Sequence, residues 1–125
     1  MTHYLLSFSN ANEIRMGSPL KVADVELRGP FIPDMKGYSF QDVGLVSQDG
    51  LHCFLIQWTP GKNEPRFQVW HLDGKKKMLT VSPIFTGGCY GIKEINYGIE
   101  LNIEEWSSEE RKVYSRVEQI KVTWE

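Results

Sequence analysis

The sequence has few of the features that would assign a chain to a functional class. It contains no Cys-x-x-Cys pair, no Gly-x-Gly-x-x-Gly phosphate motif and no apolar run near the ~18 residues that a membrane helix needs. Its 14 lysine and arginine residues are outnumbered by 16 aspartate and glutamate residues, whereas nucleic-acid binding depends on a basic excess. These absences predict no cofactor, no nucleic-acid partner and no membrane partner.

Cysteine usage indicates the compartment. The two cysteines, Cys53 and Cys89, are not closely spaced, and the apolar run at residues 4–8 is too short for the core of a secretory signal and has no basic flank. Thiols stay reduced in the cytosol. We therefore expect a soluble, cytoplasmic protein with unpaired cysteines.

Length and composition predict one folded domain, residues 1–125, with one core. A chain of 125 residues buries roughly two-thirds of the surface that its unfolded form exposes. Hydrophobic residues at 41% and charged residues at 24% are ordinary values for a globular protein, so long disorder is not expected.

Residues 40–82 predict four antiparallel strands in succession. Runs rich in β-branched and aromatic residues are separated by Asp49-Gly50 and Asp73-Gly74, dipeptides that suit tight hairpin turns. Between them, residues 60–65 begin and end with proline, which cannot donate to a ladder, and so predict a third reversal. The sequence therefore predicts an all-β protein built on a central four-strand meander.

Further strands are predicted after the meander. Apolar residues alternate strictly from Ile95 to Ile103, which predicts one amphipathic strand with a buried face. Residues 112–124 carry apolar residues at helical spacing, but their β-branched and aromatic content favours a final strand, bulged near Val117. We expect about eight to nine short strands, little helix, and either an antiparallel sandwich or a partly open barrel.

Cys53 and His71 are the candidate catalytic residues. Placing Trp58 opposite Arg66 across the central reversal sets a register in which Cys53 faces His71. A thiolate beside an imidazolium is a nucleophile, so a small cysteine-dependent hydrolase is one alternative function. No third residue that would orient the imidazole is evident, and mid-strand positions are poorly reached by substrate. A buried cysteine beside a hydrogen-bonded core histidine explains the pair more simply.

No metal site is predicted. His52 would join Cys53 and His71 as a ligand only if its side chain changed face, and no spacing matches a structural zinc site. A weaker candidate for anion binding is the run of Gly87, Gly88 and Gly91, whose amides could form a nest. That run lacks the lysine of a phosphate loop and a following helix, so a turn or bulge is the simpler interpretation.

Aromatic content favours a binding function. The chain has 4 tryptophans, 5 tyrosines and 6 phenylalanines, more than one small core easily hides. Tryptophan and arginine are typical interface anchors, and exposed sheet edges can pair with a second copy or an extended peptide. We predict a non-catalytic module that binds another protein or self-associates, with a small-ligand-binding β-barrel as an alternative. The candidate partner-binding residues are Trp58, Arg66, Trp70 and Trp106.

Overall fold

The computed structural model of the chain describes residues 2–13, 21–60 and 65–124. Within these residues the chain forms ten β-strands and no helix. The strands are β1 (Leu5–Glu13), β2 (Lys21–Arg28), β3 (Ser39–Val46), β4 (His52–Pro60), β5 (Pro65–Asp73), β6 (Met78–Val81), β7 (Phe85–Thr86), β8 (Gly88–Ile95), β9 (Gly98–Ser107) and β10 (Lys112–Lys121).

The strands form two antiparallel sheets. The large sheet has seven strands in the order β1-β2-β3-β4-β5-β6, with β7 also paired to β5, and the small sheet has the order β10-β9-β8. The sheets do not close into a barrel, so of the two predicted architectures the sandwich is the one found. The count of ten strands is slightly above the expected eight to nine.

The predicted meander is confirmed as strands β3 to β6. Gly50 has a φ of 76°, a conformation that glycine adopts without strain, in the β3–β4 turn. In the β5–β6 turn the carboxylate of Asp73 accepts hydrogen bonds from the amides of Lys75 at 3.0 Å and Lys76 at 2.9 Å. The third reversal falls on residues 61–64, which lie outside the described residues.

The predicted strand from Ile95 to Ile103 is confirmed from Ile99 to Ile103, where the alternating apolar side chains face the core, and is wrong at its start, because Ile95 belongs to the preceding strand. Ile95 ends β8 and is paired with Gly98 at the start of β9, which leaves a two-residue turn. A Cβ at Gly98 would overlap the carbonyl oxygen of Ile120 on the neighbouring strand β10, so glycine is required at this position. Ile95 therefore shares the outer face of the small sheet with Gly98, whereas Ile99 faces the core.

The ambiguous C-terminal segment is a strand. Residues 112–121 pair with β9 in a register without a shift, so the predicted bulge near Val117 is wrong. After β10, the side chains of Val122 and Trp124 pack on the core.

The large sheet has a buried cluster on each face, instead of the single core that was expected. One cluster lies between the two sheets, and the second is covered by side chains from β1, β2 and the segment that follows β2. The buried members of the first cluster are Phe54, Ile56, Phe67, Val69, Cys89, Ile99, Leu101 and Ile103. The buried members of the second are Tyr4, Phe40, Cys53, Leu55, Trp70 and Leu72.

A buried glutamine joins the two sheets. The side chain of Gln41 on β3 is fully buried; its Nε2 donates to the carbonyl oxygen of Cys89 at 2.9 Å, and its Oε1 accepts from the Cys89 amide at 3.1 Å. The side-chain amide of Gln41 thus takes the place of a peptide group in a strand beside β8.

Candidate functional site

The register of β4 against β5 differs by one residue from the predicted register. Cys53 is paired with Leu72, and Phe54 is paired with His71. Because successive side chains of a strand point to opposite faces, Cys53 and His71 lie on opposite faces of the sheet. The predicted opposition of Cys53 and His71 is therefore wrong, and no catalytic pair forms between them.

The same shift separates the predicted interface pair. Trp58 is paired with Phe67, and Arg66 is paired with Thr59. Trp58 and Arg66 consequently point to opposite faces, and each is half-buried. The expected placement of the tryptophan ring beside the guanidinium group is wrong.

The cysteines have the surroundings of structural thiols. Both Cys53 and Cys89 are free and buried. Burial raises the pKa of Cys53 to about 12 and that of Cys89 to about 11. The thiolate is the nucleophilic form of cysteine, so these side chains are poorly suited to covalent catalysis at neutral pH.

His52, His71 and Asp73 come together on the face of the large sheet that packs against the small sheet. His52 is paired with Asp73 across β4 and β5, and its Nδ1 lies 2.9 Å from Nε2 of His71. One ring nitrogen of each histidine and one carboxylate oxygen of Asp73 all lie within 4.8 Å of one another. His52 is 0% exposed and Asp73 is 6% exposed. The shifted register thus groups three residues of metal-ligating type, which we call the His–Asp cluster.

Neighbouring residues hold the rings of the His–Asp cluster in place. His71 stacks on Phe54, with ring centroids 4.6 Å apart and an interplanar angle of 12°. Trp124 meets His52 at an interplanar angle of 88°, with ring centroids 5.1 Å apart. The backbone of His52 is fixed by Ser47, whose Oγ accepts from the His52 amide at 3.1 Å and whose amide donates to the His52 carbonyl at 2.9 Å.

The electrostatics of the cluster keep His71 neutral. Burial, and secondly the neighbouring His52, lower the pKa of His71 to about 4, against the opposing effect of Asp73. A neutral imidazole is the form that ligates metals. Nε2 of His52 is buried and has no hydrogen-bond partner among the described residues.

A shallow groove of about 250 Å³ lies at this end of the sandwich. It is lined by Ser47, Gln48, Asp49, Glu94 and Trp124. The amide of Gln48 donates to Oε1 of Glu94 at 2.8 Å, which ties the β3–β4 turn to β8. Trp124 thus contacts both the groove and the ring of His52.

The glycine run forms the junction of β7 and β8. Gly87 has a φ of 99°, and its amide donates to the carbonyl oxygen of Pro65 at 2.8 Å. Gly88 begins β8, and the register with β9 shifts between Cys89 and Gly91, as in a β-bulge. The turn-and-bulge interpretation fits this geometry, and the amide of Gly87 is already bound within the protein.

The remaining candidate tryptophans differ in exposure. Trp70 is 3% exposed, its Nε1 donates to Oε1 of Gln57 at 2.8 Å, and its ring packs edge-on against Tyr38 and Phe40. Trp70 is therefore a core residue, and its prediction as a surface anchor is wrong. Trp106 on β9 is 46% exposed.

Trp106 belongs to an exposed apolar group on the outer face of the small sheet. It is paired with Val113 of β10, and Val117 lies four residues further along the same face. Val113 is 52% exposed and Val117 is 53% exposed. Among the described residues β10 pairs only with β9, so one edge of β10 is free. We call Trp106, Val113 and Val117 with this edge the β10 surface.

Comparison with known proteins identifies no relative, because no family model, no curated protein and no solved structure matches the chain. The described residues include no helix that could span a membrane. Functional assignment therefore rests on the arrangement of side chains alone.

Proposed function

We propose that this chain is a non-catalytic, cytoplasmic binding module that pairs the free edge of β10 with a strand of another polypeptide, and that a second copy of the chain is that partner. The observation that carries the proposal is the exposed apolar group Trp106, Val113 and Val117 beside an unpaired strand edge. The two free, buried thiols support the reducing compartment.

A free strand edge presents amide and carbonyl groups in the geometry that another strand can satisfy. β10 is ten residues long and is paired along its whole length with β9, so its backbone is already extended. Addition of an antiparallel strand therefore costs little conformational entropy in β10. The main-chain hydrogen bonds would supply affinity, and the side chains of β10 would select the partner.

The charge pattern of β10 favours a second copy as the partner. Within one chain Arg116 bonds to Glu105 at 2.7 Å and lies 3.8 Å from Glu118. In an antiparallel pairing of two β10 strands about a two-fold axis at Val117, Arg116 of each copy would also stand opposite Glu118 of the other and extend this ion-pair network across the interface. Opposite charges directly across a strand pair are favourable, whereas like charges are not. The same axis brings the two Val117 side chains together and removes the most exposed residue of the apolar group from water.

The test is the mass of the protein in solution as a function of concentration. We expect the wild-type chain to be mainly dimeric at about 100 μM, because its Kd for dimerisation should lie below that concentration. Val117→Lys should be monomeric, because two ammonium groups would meet on the axis. Val81→Lys on β6 is the matched control, since Val81 is an exposed strand valine of similar exposure, 42%. Sedimentation velocity measures all three proteins.

Two results would contradict the proposal. A wild-type chain that stays monomeric at this concentration would exclude self-association. A dimer that survives Val117→Lys but is lost in Val81→Lys would assign the contact to the β6 edge of the large sheet instead.

A further inference from the structure

Burial of the His–Asp cluster carries a desolvation cost. Two imidazole rings and a carboxylate leave water, yet among the described residues a single hydrogen bond, between His52 Nδ1 and His71 Nε2, joins the three side chains to one another. Burial of ionisable groups is costly unless they are paired or coordinate a metal. A bound cation would give all three side chains a common partner.

We propose that His52, His71 and Asp73 bind one divalent transition metal ion, with Zn²⁺ the ion that the ligands favour. Two imidazole nitrogens and one carboxylate oxygen form a three-residue set of the kind that binds zinc together with a solvent molecule. Hard cations such as Ca²⁺ and Mg²⁺ prefer ligand sets made of oxygen alone. The nature of the donors therefore selects zinc over the abundant alkaline-earth ions.

The spacing of the donor atoms suits the ion after a small adjustment. Nδ1 of His52 and Nε2 of His71 are 2.9 Å apart, whereas two nitrogen ligands of a tetrahedral zinc ion are ~3.3 Å apart when each bond is ~2.0 Å. His71 is half-buried whereas His52 is fully enclosed, so the ring of His71 is the one that would shift, by sliding on the ring of Phe54. The partial exposure of His71 also gives the ion a route from solvent.

Hydrogen bonds around the cluster already orient two of the ligands. The carboxylate of Asp73 uses Oδ1 to accept from the amides of Lys75 and Lys76, which fixes its orientation in the turn and leaves Oδ2 for the ion. Ser47 bonds to both the backbone amide and the backbone carbonyl group of His52. Such outer contacts typically change metal affinity by ~10–100-fold, because they set the position of the ligands.

The test is titration of the chelator-treated full chain with ZnCl₂ by calorimetry. We expect one Zn²⁺ per chain, with affinity lowered at least ~10-fold in His71→Gln and in Asp73→Asn. Asp73→Asn keeps an acceptor for the two turn amides and so preserves the fold. His3→Gln is the matched control, because His3 is the third histidine of the chain and is exposed.

A measurement on the wild-type protein removes any dependence on the folding of the variants. On addition of Zn²⁺ the imidazole NMR signals of His52 and His71 should shift, and those of His3 should not. The proposal would be overturned by the absence of a saturable zinc site, by equal affinity in His71→Gln and the wild type, or by shifts confined to His3.

Discussion

Replacement of Gln41 by leucine tests the hydrogen bonds that join the two sheets. The side chain of Gln41 is fully buried and both of its polar atoms bond to the backbone of Cys89. Leucine is apolar and of similar volume, so Gln41→Leu removes both bonds while filling nearly the same space. The amide and the carbonyl group of Cys89 then lose their side-chain partner inside the sandwich.

The expected loss of stability follows from the two groups left without that partner. A buried donor or acceptor without a partner costs about 1–3 kcal/mol, so the two groups together should lower the free energy of unfolding of Gln41→Leu by roughly 2–6 kcal/mol. Gln119→Leu is the control, because Gln119 is exposed and its hydrogen bonds to Glu100 and Tyr97 lie on the surface. Its effect should stay within about 0.5 kcal/mol.

Urea unfolding followed by tryptophan fluorescence measures both variants. The midpoint should fall in Gln41→Leu with an unchanged denaturant slope, since the surface exposed on unfolding is the same. Hydrogen exchange adds a local measurement, because the Cys89 amide should lose protection relative to its β8 neighbours. A loss of stability below about 1 kcal/mol at constant slope, with Cys89 still protected, would refute the role given to Gln41.

Two further predictions concern buried titratable groups. A thiol reagent at neutral pH should leave Cys53 and Cys89 unmodified in the native protein, because burial raises the pKa of both thiols, and should label both in urea. Rapid labelling of Cys53 in the native protein would contradict this prediction. In chelator-treated protein the free energy of unfolding should fall as the pH drops from about 6.5 towards 4, since the unfolded chain protonates His71 first. One titrating proton limits the slope to ~1.4 kcal/mol per pH unit, and partial solvation of His71 narrows the pH range over which the slope applies. His71→Gln should remove the slope.

The existence of the strands was readable from the sequence, but their register was not. Hydrophobic alternation and the Asp-Gly turns identify β3 to β6 because these signals are local. Register depends on the geometry of the reversal, and the choice of Trp58 opposite Arg66 displaced every pair by one. The structure pairs Pro60 with Pro65, so taking these two prolines as the last pair would have given the correct register.

The prediction of exposed aromatic residues failed at Trp70 for a different reason. The count of aromatic residues was compared with one core, whereas the large sheet buries side chains on both faces. The second face is covered by side chains of β1, β2 and the segment after β2, which are distant in sequence from Trp70. No local pattern carries information about such long-range contacts, so burial of Trp70 could not be read from its own strand.

The His–Asp cluster and the β10 surface are linked through Trp124 but are independent in chemistry. Trp124 follows β10 by three residues and packs on His52, so the two regions belong to one continuous structure. Val117 nevertheless points away from the core, whereas His71 lies on the inner face of the other sheet. Val117→Lys should therefore leave zinc affinity unchanged, and His71→Gln should leave self-association unchanged. Either proposal can fail without the other, because each depends on side chains that the other does not use.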